Sequence, residues 1–154
     1  MNLVVFDGQL LFEDSGCELS SEACKLLGTP GFMKAVILVC SSPVAYKRMK
    51  AIIEIKEFCY NVTVDSYSRK DFFLMNILRS VGPEKAKNVF VAAHVSSPDI
   101  YLGNKLGFNT IGILADNPEV IDPGFPDSPP VYTRYRIGDV TDILQPKKQN
   151  TLVV

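Results

Sequence analysis

At 154 residues, 47% of them hydrophobic, the chain suits one domain with a full core and is short for two. A formal net charge of −1 gives no strong nucleic-acid signal, since Lys47, Arg48 and Lys50 read as a solvated helix face and Lys147 and Lys148 as a tail. No basic-then-apolar leader opens the sequence and no window reaches the length of about eighteen apolar residues that a membrane span needs, so a cytoplasmic location is expected.

In chain order, the first apolar run covers residues 2–6 and passes at once into Asp7, Gly8 and Gln9. A short helix is predicted over residues 21–27, with Gly28 as its stop. Residues 35–40 form the second apolar run. Ser42 and Pro43 then read as an N-cap with proline at the first helical position. That helix is predicted to reach residue 58, with Val44, Ala51, Ile52, Ile55 and Phe58 turned to the core. A weaker, β-branched run follows at 62–64. Residues 70–81 give another helix, ended by Gly82, whose Phe72, Phe73 and Met75 read as core. The fourth apolar run, 88–92, leads through His94 to a second cap-plus-proline pair, Ser97 and Pro98, and a helix that stops at Gly107. Residues 110–114 are the fifth run. Beyond it, Pro118, Pro123, Pro126, Pro129 and Pro130 exclude a regular helix. Residues 131–137 suit an edge strand, and Asp139 to Asp142 mark a helix start.

Continuous Val- and Ile-rich runs are the signature of parallel strands covered on both faces. Their alternation with helices predicts an α/β, Rossmann-like three-layer sandwich around a central, mostly parallel sheet of five to six strands. Residues 1–145 make the single domain and 146–154 a C-terminal tail. Cys17, Cys24, Cys40 and Cys59 form no C-x-x-C pair, which speaks against a zinc site and fits a reducing compartment.

In open parallel sheets, ligands bind beyond the carboxyl ends of the strands, where strand order reverses. The polar residues predicted there are Asp7 and Gln9, then Ser41 and Ser42, then Asp65, Ser66, Ser68, Arg69 and Lys70, then His94, Ser96, Ser97 and Asp99, and last Asp116 and Asn117. Each has a plainer reading. Asp7-Gly8 suits a turn, Ser41 precedes a cap, and Asp99 sits in a first helical turn where the dipole alone favours a carboxylate. Arg69 and Lys70 suit an exposed first turn, and His94, the one histidine, suits a hydrogen-bonded structural role.

The order of these residues resembles the haloacid-dehalogenase-like (HAD) superfamily of hydrolases, in a capless form with degenerate motifs. Val4-Val5-Phe6-Asp7 is similar to the family's first strand and aspartate nucleophile, with Gln9 where a second aspartate is usual. Ser41 stands where the next strand ends in Ser or Thr. Lys70 or Arg69 lies near the family's lysine, although helix spacing to Gly82 points to Ser68. Val91-Ala92-Ala93-His94, with Asp99-Ile100, Gly103 and Gly107 to Ile113, looks like the dehalogenase-type branch, and residues 139–144 like the closing helix.

The resemblance implies a Mg²⁺-dependent phosphatase. Asp7 would be the nucleophile, Ser41 would bind the phosphoryl group, and Lys70 or Arg69 would balance its charge. Asp7 with Asp99 or Asp116 would hold the metal, while Gly8, Gln9, Ser42, Arg69 and His94 would contact the substrate. That substrate is a phosphorylated small molecule or macromolecule, and an open site suits a large substrate or one closed over by a partner subunit in a homo-oligomer. Two alternatives stand beside this. Gln9 and the stretched fourth motif favour a non-catalytic binding or assembly module. An aspartate after the first strand also occurs in PIN-like metal-dependent nucleases, which need three or four clustered carboxylates.

Overall fold

The computed structural model describes residues 3–12, 18–28, 34–39, 43–55, 62–66, 69–114 and 127–144. Each apolar run of the sequence becomes a strand: β1 (Leu3–Asp7), β2 (Lys34–Val39), β3 (Val62–Ser66), β4 (Val89–His94) and β5 (Asn109–Ile113), with the short β6 (Tyr132–Arg134) after them. Between and beyond them lie α1 (Ser21–Leu27), α2 (Pro43–Ile55), α3 (Lys70–Val81), α4 (Pro98–Lys105) and α5 (Thr141–Leu144). The strands pair in parallel throughout, in the order β3-β2-β1-β4-β5-β6. This is a Rossmann-like α/β architecture with a central parallel sheet and flanking helices, as the alternation of elements predicts.

The period-2 alternation of strand side chains explains why the runs are continuously apolar. In β1, Val4 and Phe6 enter a cluster with Ala23, Leu26 and Leu27 of α1 and with Met49 and Ile53 of α2. Its other face sends Val5, with Leu3 at the margin, to Leu74 of α3 and to Phe108, beside Leu102 of α4. β4 divides the same way, Phe90 and Ala92 to the first cluster, Val89 and Val91 to the second. Full burial of each such large side chain contributes about 1.5–3 kcal/mol. β3, at the end of the strand order, leaves Thr63 and Ser66 exposed, which accounts for its weaker apolar signal.

Local chemistry sets the helix ends. The Ser20 hydroxyl accepts from the Ala23 amide at 3.1 Å to start α1, and Ser97 accepts from the Asp99 amide at 3.2 Å to start α4. Gly82 ends α3 at φ +85°, a left-handed value that a side chain disfavours, and its N–H donates to the Leu78 carbonyl at 2.8 Å. The chain returning to β6 is tied down by Asn104. Its amide donates to the Ser128 hydroxyl at 2.9 Å and the Pro129 carbonyl at 2.8 Å, while its own oxygen accepts from buried Thr110 at 2.6 Å.

Several expectations change. The buried face of α2 is Met49 and Ile53; Val44 and Ala51 face solvent. On α3, Leu74 is the core residue, whereas Phe72 and Met75 are exposed. Asp65 and Ser66 belong to β3, and His94 to β4, rather than to the loops that follow. The edge strand is confined to Tyr132–Arg134, and a 3-10 turn, Ile137–Val140, precedes α5. Ser41, Ser42, Phe58, Ser68, Asp116, Asn117, Pro118, Pro123, Pro126, the tail at 146–154 and Cys17, Cys40 and Cys59 lie outside the described residues; Cys24 is a half-buried free thiol. No helix among the described residues is long and apolar enough to cross a membrane.

Candidate functional site

The chain runs from β1 outward to β2 and β3, then crosses back to lay β4 against the other edge of β1. Connections leaving β1 and β4 therefore diverge, and a crevice opens at their carboxyl ends. Asp7 is the last residue of β1 and His94 the last of β4. The first turns of α3 and α4 bring Lys70 and Asp99 to the same place. A cleft of about 760 Å³ lies here, lined by Asp7, Gln9, Lys70, His94 and Asp99 together with Arg69, Asp71, Ser96, Ser97, Pro98 and Leu102.

Lys70 organises its charge. The ammonium donates to Asp99 Oδ2 at 2.6 Å and to Asp7 Oδ2 at 3.4 Å, across 29 and 63 residues of sequence. All three side chains are largely shielded, those of Lys70 and Asp7 being 14% exposed and that of Asp99 5%. Asp7 Oδ1 also accepts from the Gln9 amide at 3.1 Å, because Asp7 caps the 3-10 turn Gly8–Leu11. Burial pushes the Asp99 carboxyl above its ordinary range; Lys70 opposes that rise and the charge of Asp7 adds to it. Two carboxylates against one ammonium leave the cluster with a net negative charge when all are ionised.

His94 and Ser96 make a second polar pair in the cleft. The Ser96 amide donates to His94 Nδ1 at 3.2 Å, and the Ser96 hydroxyl lies 2.7 Å from the same nitrogen. A backbone N–H can only donate, so Nδ1 carries the lone pair, the serine hydroxyl donates to it, and the ring proton is on Nε2. Arg69 is turned away from the carboxylate pair. Its guanidinium bridges to Asp71 at 3.2 Å and lies 4.1 Å above the Phe72 ring. Asp71 is held below the usual carboxylate range, chiefly by the Arg69 hydrogen bond and then by the Phe72 amide.

Of the residues singled out in the sequence, Asp7, Gln9, Arg69, Lys70, His94, Ser96, Ser97 and Asp99 line one cleft, and Gly8 is buried in the turn that follows Asp7. Lys70, not Arg69, reaches the carboxylates. Ser41, Ser42 and Asp116 lie outside the described residues. Asp71 and Leu102 were not signalled, although Leu102 stands three residues beyond Asp99, and hence near its helical face.

A divalent cation of the Mg²⁺ type takes oxygen ligands, usually one or two carboxylates from the protein with waters and substrate oxygens completing an octahedron. Asp7 and Asp99 offer carboxylate oxygens of that kind, each already giving Oδ2 to the Lys70 ammonium. Among the described residues no group of three or more His, Cys, Asp or Glu side chains is placed to enclose a metal by itself. What the site defines is a Rossmann-like protein with a carboxylate–ammonium–carboxylate cluster at its switch point. No protein-family model, curated protein or solved structure matches the chain.

Proposed function

We propose that this is a capless HAD-like phosphohydrolase that uses Asp7 as nucleophile. One observation carries the reading: the ammonium of Lys70 is shared between Asp7 and Asp99 at the carboxyl ends of β1 and β4. A carboxylate at a strand end, beside a fixed cation, suits attack on a phosphorus centre. The Asp7 carboxylate, oriented by the Gln9 amide at Oδ1 and by Lys70 at Oδ2, forms the new P–O bond as the ester P–O bond breaks, and Lys70 offsets charge on the phosphoryl oxygens. Water then attacks the aspartyl phosphate, releasing phosphate and restoring the carboxylate. Asp7 and Asp99 would hold Mg²⁺, which supplies Lewis-acid stabilisation of phosphoryl charge when bound. The Nε2–H of His94 suits a hydrogen bond to substrate. Gln9 has no acidic proton to transfer, so the leaving group departs without the general-acid help that is typically about 10²–10⁴-fold in rate.

Turnover of p-nitrophenyl phosphate with Mg²⁺ by the full chain tests this. Activity that disappears in Asp7→Asn and falls at least about 10²-fold in Lys70→Met supports the reading. Absence of turnover with any phosphomonoester favours the second reading, a non-catalytic binding module, which the glutamine at position 9 supports. The nuclease alternative has less behind it, because the shielded carboxylates of the cleft are Asp7 and Asp99, with Asp71 engaged by Arg69; RNA degradation with Mn²⁺ would restore it.

A further inference from the structure

A second hollow, of about 340 Å³, lies between α3 and α4, floored and walled by Phe72 and Met75 of the one and Leu102 and Leu106 on the other side. Phe72 is 52% exposed and Met75 37%, an unusual position for two large apolar residues on neighbouring turns of one helix face. The hollow adjoins the cleft that holds Asp7, Asp71 and Leu102 lining both. Arg79 and Lys105, in the last turns of α3 and α4, stand at its far end. From Lys70 to Arg79 the helix advances roughly 14 Å.

We infer that this groove holds the leaving group of the substrate, and that the substrate is an aryl phosphomonoester carrying a second anionic group some way from the phosphate. The inference rests on the phosphohydrolase reading of the cleft and adds the substrate class to it. Three observations converge on that class. Beyond Asp71 the walls of the groove are mainly apolar, which suits a ring against Phe72, Met75, Leu102 and Leu106. It is cationic at the end away from the cleft, which suits a carboxylate or second phosphate there. Gln9 leaves the departing oxygen unprotonated, so a phenol, which leaves readily as its anion, is favoured over an alcohol.

Kinetics on the full chain with Mg²⁺ test this, comparing phenyl phosphate with an aryl phosphate whose para chain ends in a carboxylate roughly 10–14 Å from the phosphorus, within the reach set by the helix. The tailed ester is expected to have a kcat/KM about fivefold higher, the upper range for one solvent-exposed ion pair. Arg79→Glu is expected to remove or reverse that preference, and Met75→Glu to raise KM for the tailed ester about tenfold through lost apolar contact. Equal kcat/KM values for the two esters in the wild type, or a preference untouched by Arg79→Glu, overturn the inference. If no phosphomonoester turns over, the phosphohydrolase reading fails by itself. The groove is then read by calorimetric titration of the free phenol-carboxylate into wild type and Met75→Glu: binding lost in the variant keeps the groove as an aryl-anion site, and no binding to wild type overturns it. Self-association of the wild type that Met75→Glu abolishes, without aryl-anion binding, assigns the groove to a second copy of the chain and likewise overturns the inference.

Discussion

Replacing Lys70 by Met leaves Asp7 and Asp99 facing one another with no cation between them. Removing one partner from such a shielded cluster is expected to cost about 3 kcal/mol at neutral pH, the lower end for a buried pair, measured by urea unfolding. Asp99 gives a signed expectation of its own. Its carboxyl titrates higher in the folded protein than its ordinary value of 3.8. Between that value and the raised one, the folded state binds more protons than the unfolded state, so this group's contribution to stability declines as pH rises. The unfolding free energy of the wild type minus that of Asp99→Asn is therefore expected to decrease as pH is raised through the window above 3.8; a difference that grows with pH contradicts the assignment. At Gln9 the expectation is catalytic. Gln9→Asp introduces a proton donor near Asp7 and, on the proposed phosphohydrolase reading, is expected to raise kcat on an alkyl phosphate by about 10²-fold, with less effect on an aryl phosphate.

At the scale of elements, the site is held by the packing of α4 on β4 and β5. A methyl group at Gly103 would fall 2.7 Å from Thr110 Cγ2 and 3.4 Å from Val91. Gly103→Ala is expected to cost about 1–3 kcal/mol through overpacking, and Thr110→Ser, which deletes the opposing methyl and keeps the hydroxyl, to recover half or more of that loss. Denaturation of the two single variants and the double variant checks the coupling. The elements themselves were largely legible beforehand. Ser97-Pro98, Gly28 and Gly82 punctuate the chain through cap and turn chemistry that depends on neighbours a few residues away. Helix phase was not. Val44 and Ala51 carry the same apolar signal as Met49 and Ile53, and only the docked sheet selects the second pair. Phe72 and Met75 likewise read as core until Leu74 takes the inward position.

Over the whole molecule, the site depends on crossovers that bring distant residues together at one strand edge. Asp7 and its strand end were visible in the sequence, because an apolar run stopping at an aspartate and a glycine is a local pattern. The choice between Arg69 and Lys70 was not: Arg69 caps α3 and Lys70 opens it, and the helix must be docked to settle which faces the cleft. The burial of Asp99 was equally hidden, since a first-turn carboxylate needs no partner to be explained. The order β3-β2-β1-β4 supplies what was missing, placing α3 and α4 on the same face of the sheet with their first turns beside Asp7.

The measurement that reaches furthest is ¹⁹F NMR of the wild type and Asp7→Asn with beryllium fluoride and Mg²⁺, which together mimic a phosphorylated carboxylate. Fluorine signals of a bound adduct are expected in the wild type and none in Asp7→Asn. Free beryllium fluoride alone in the wild type, or the same bound signals in both proteins, contradicts a nucleophilic role for Asp7.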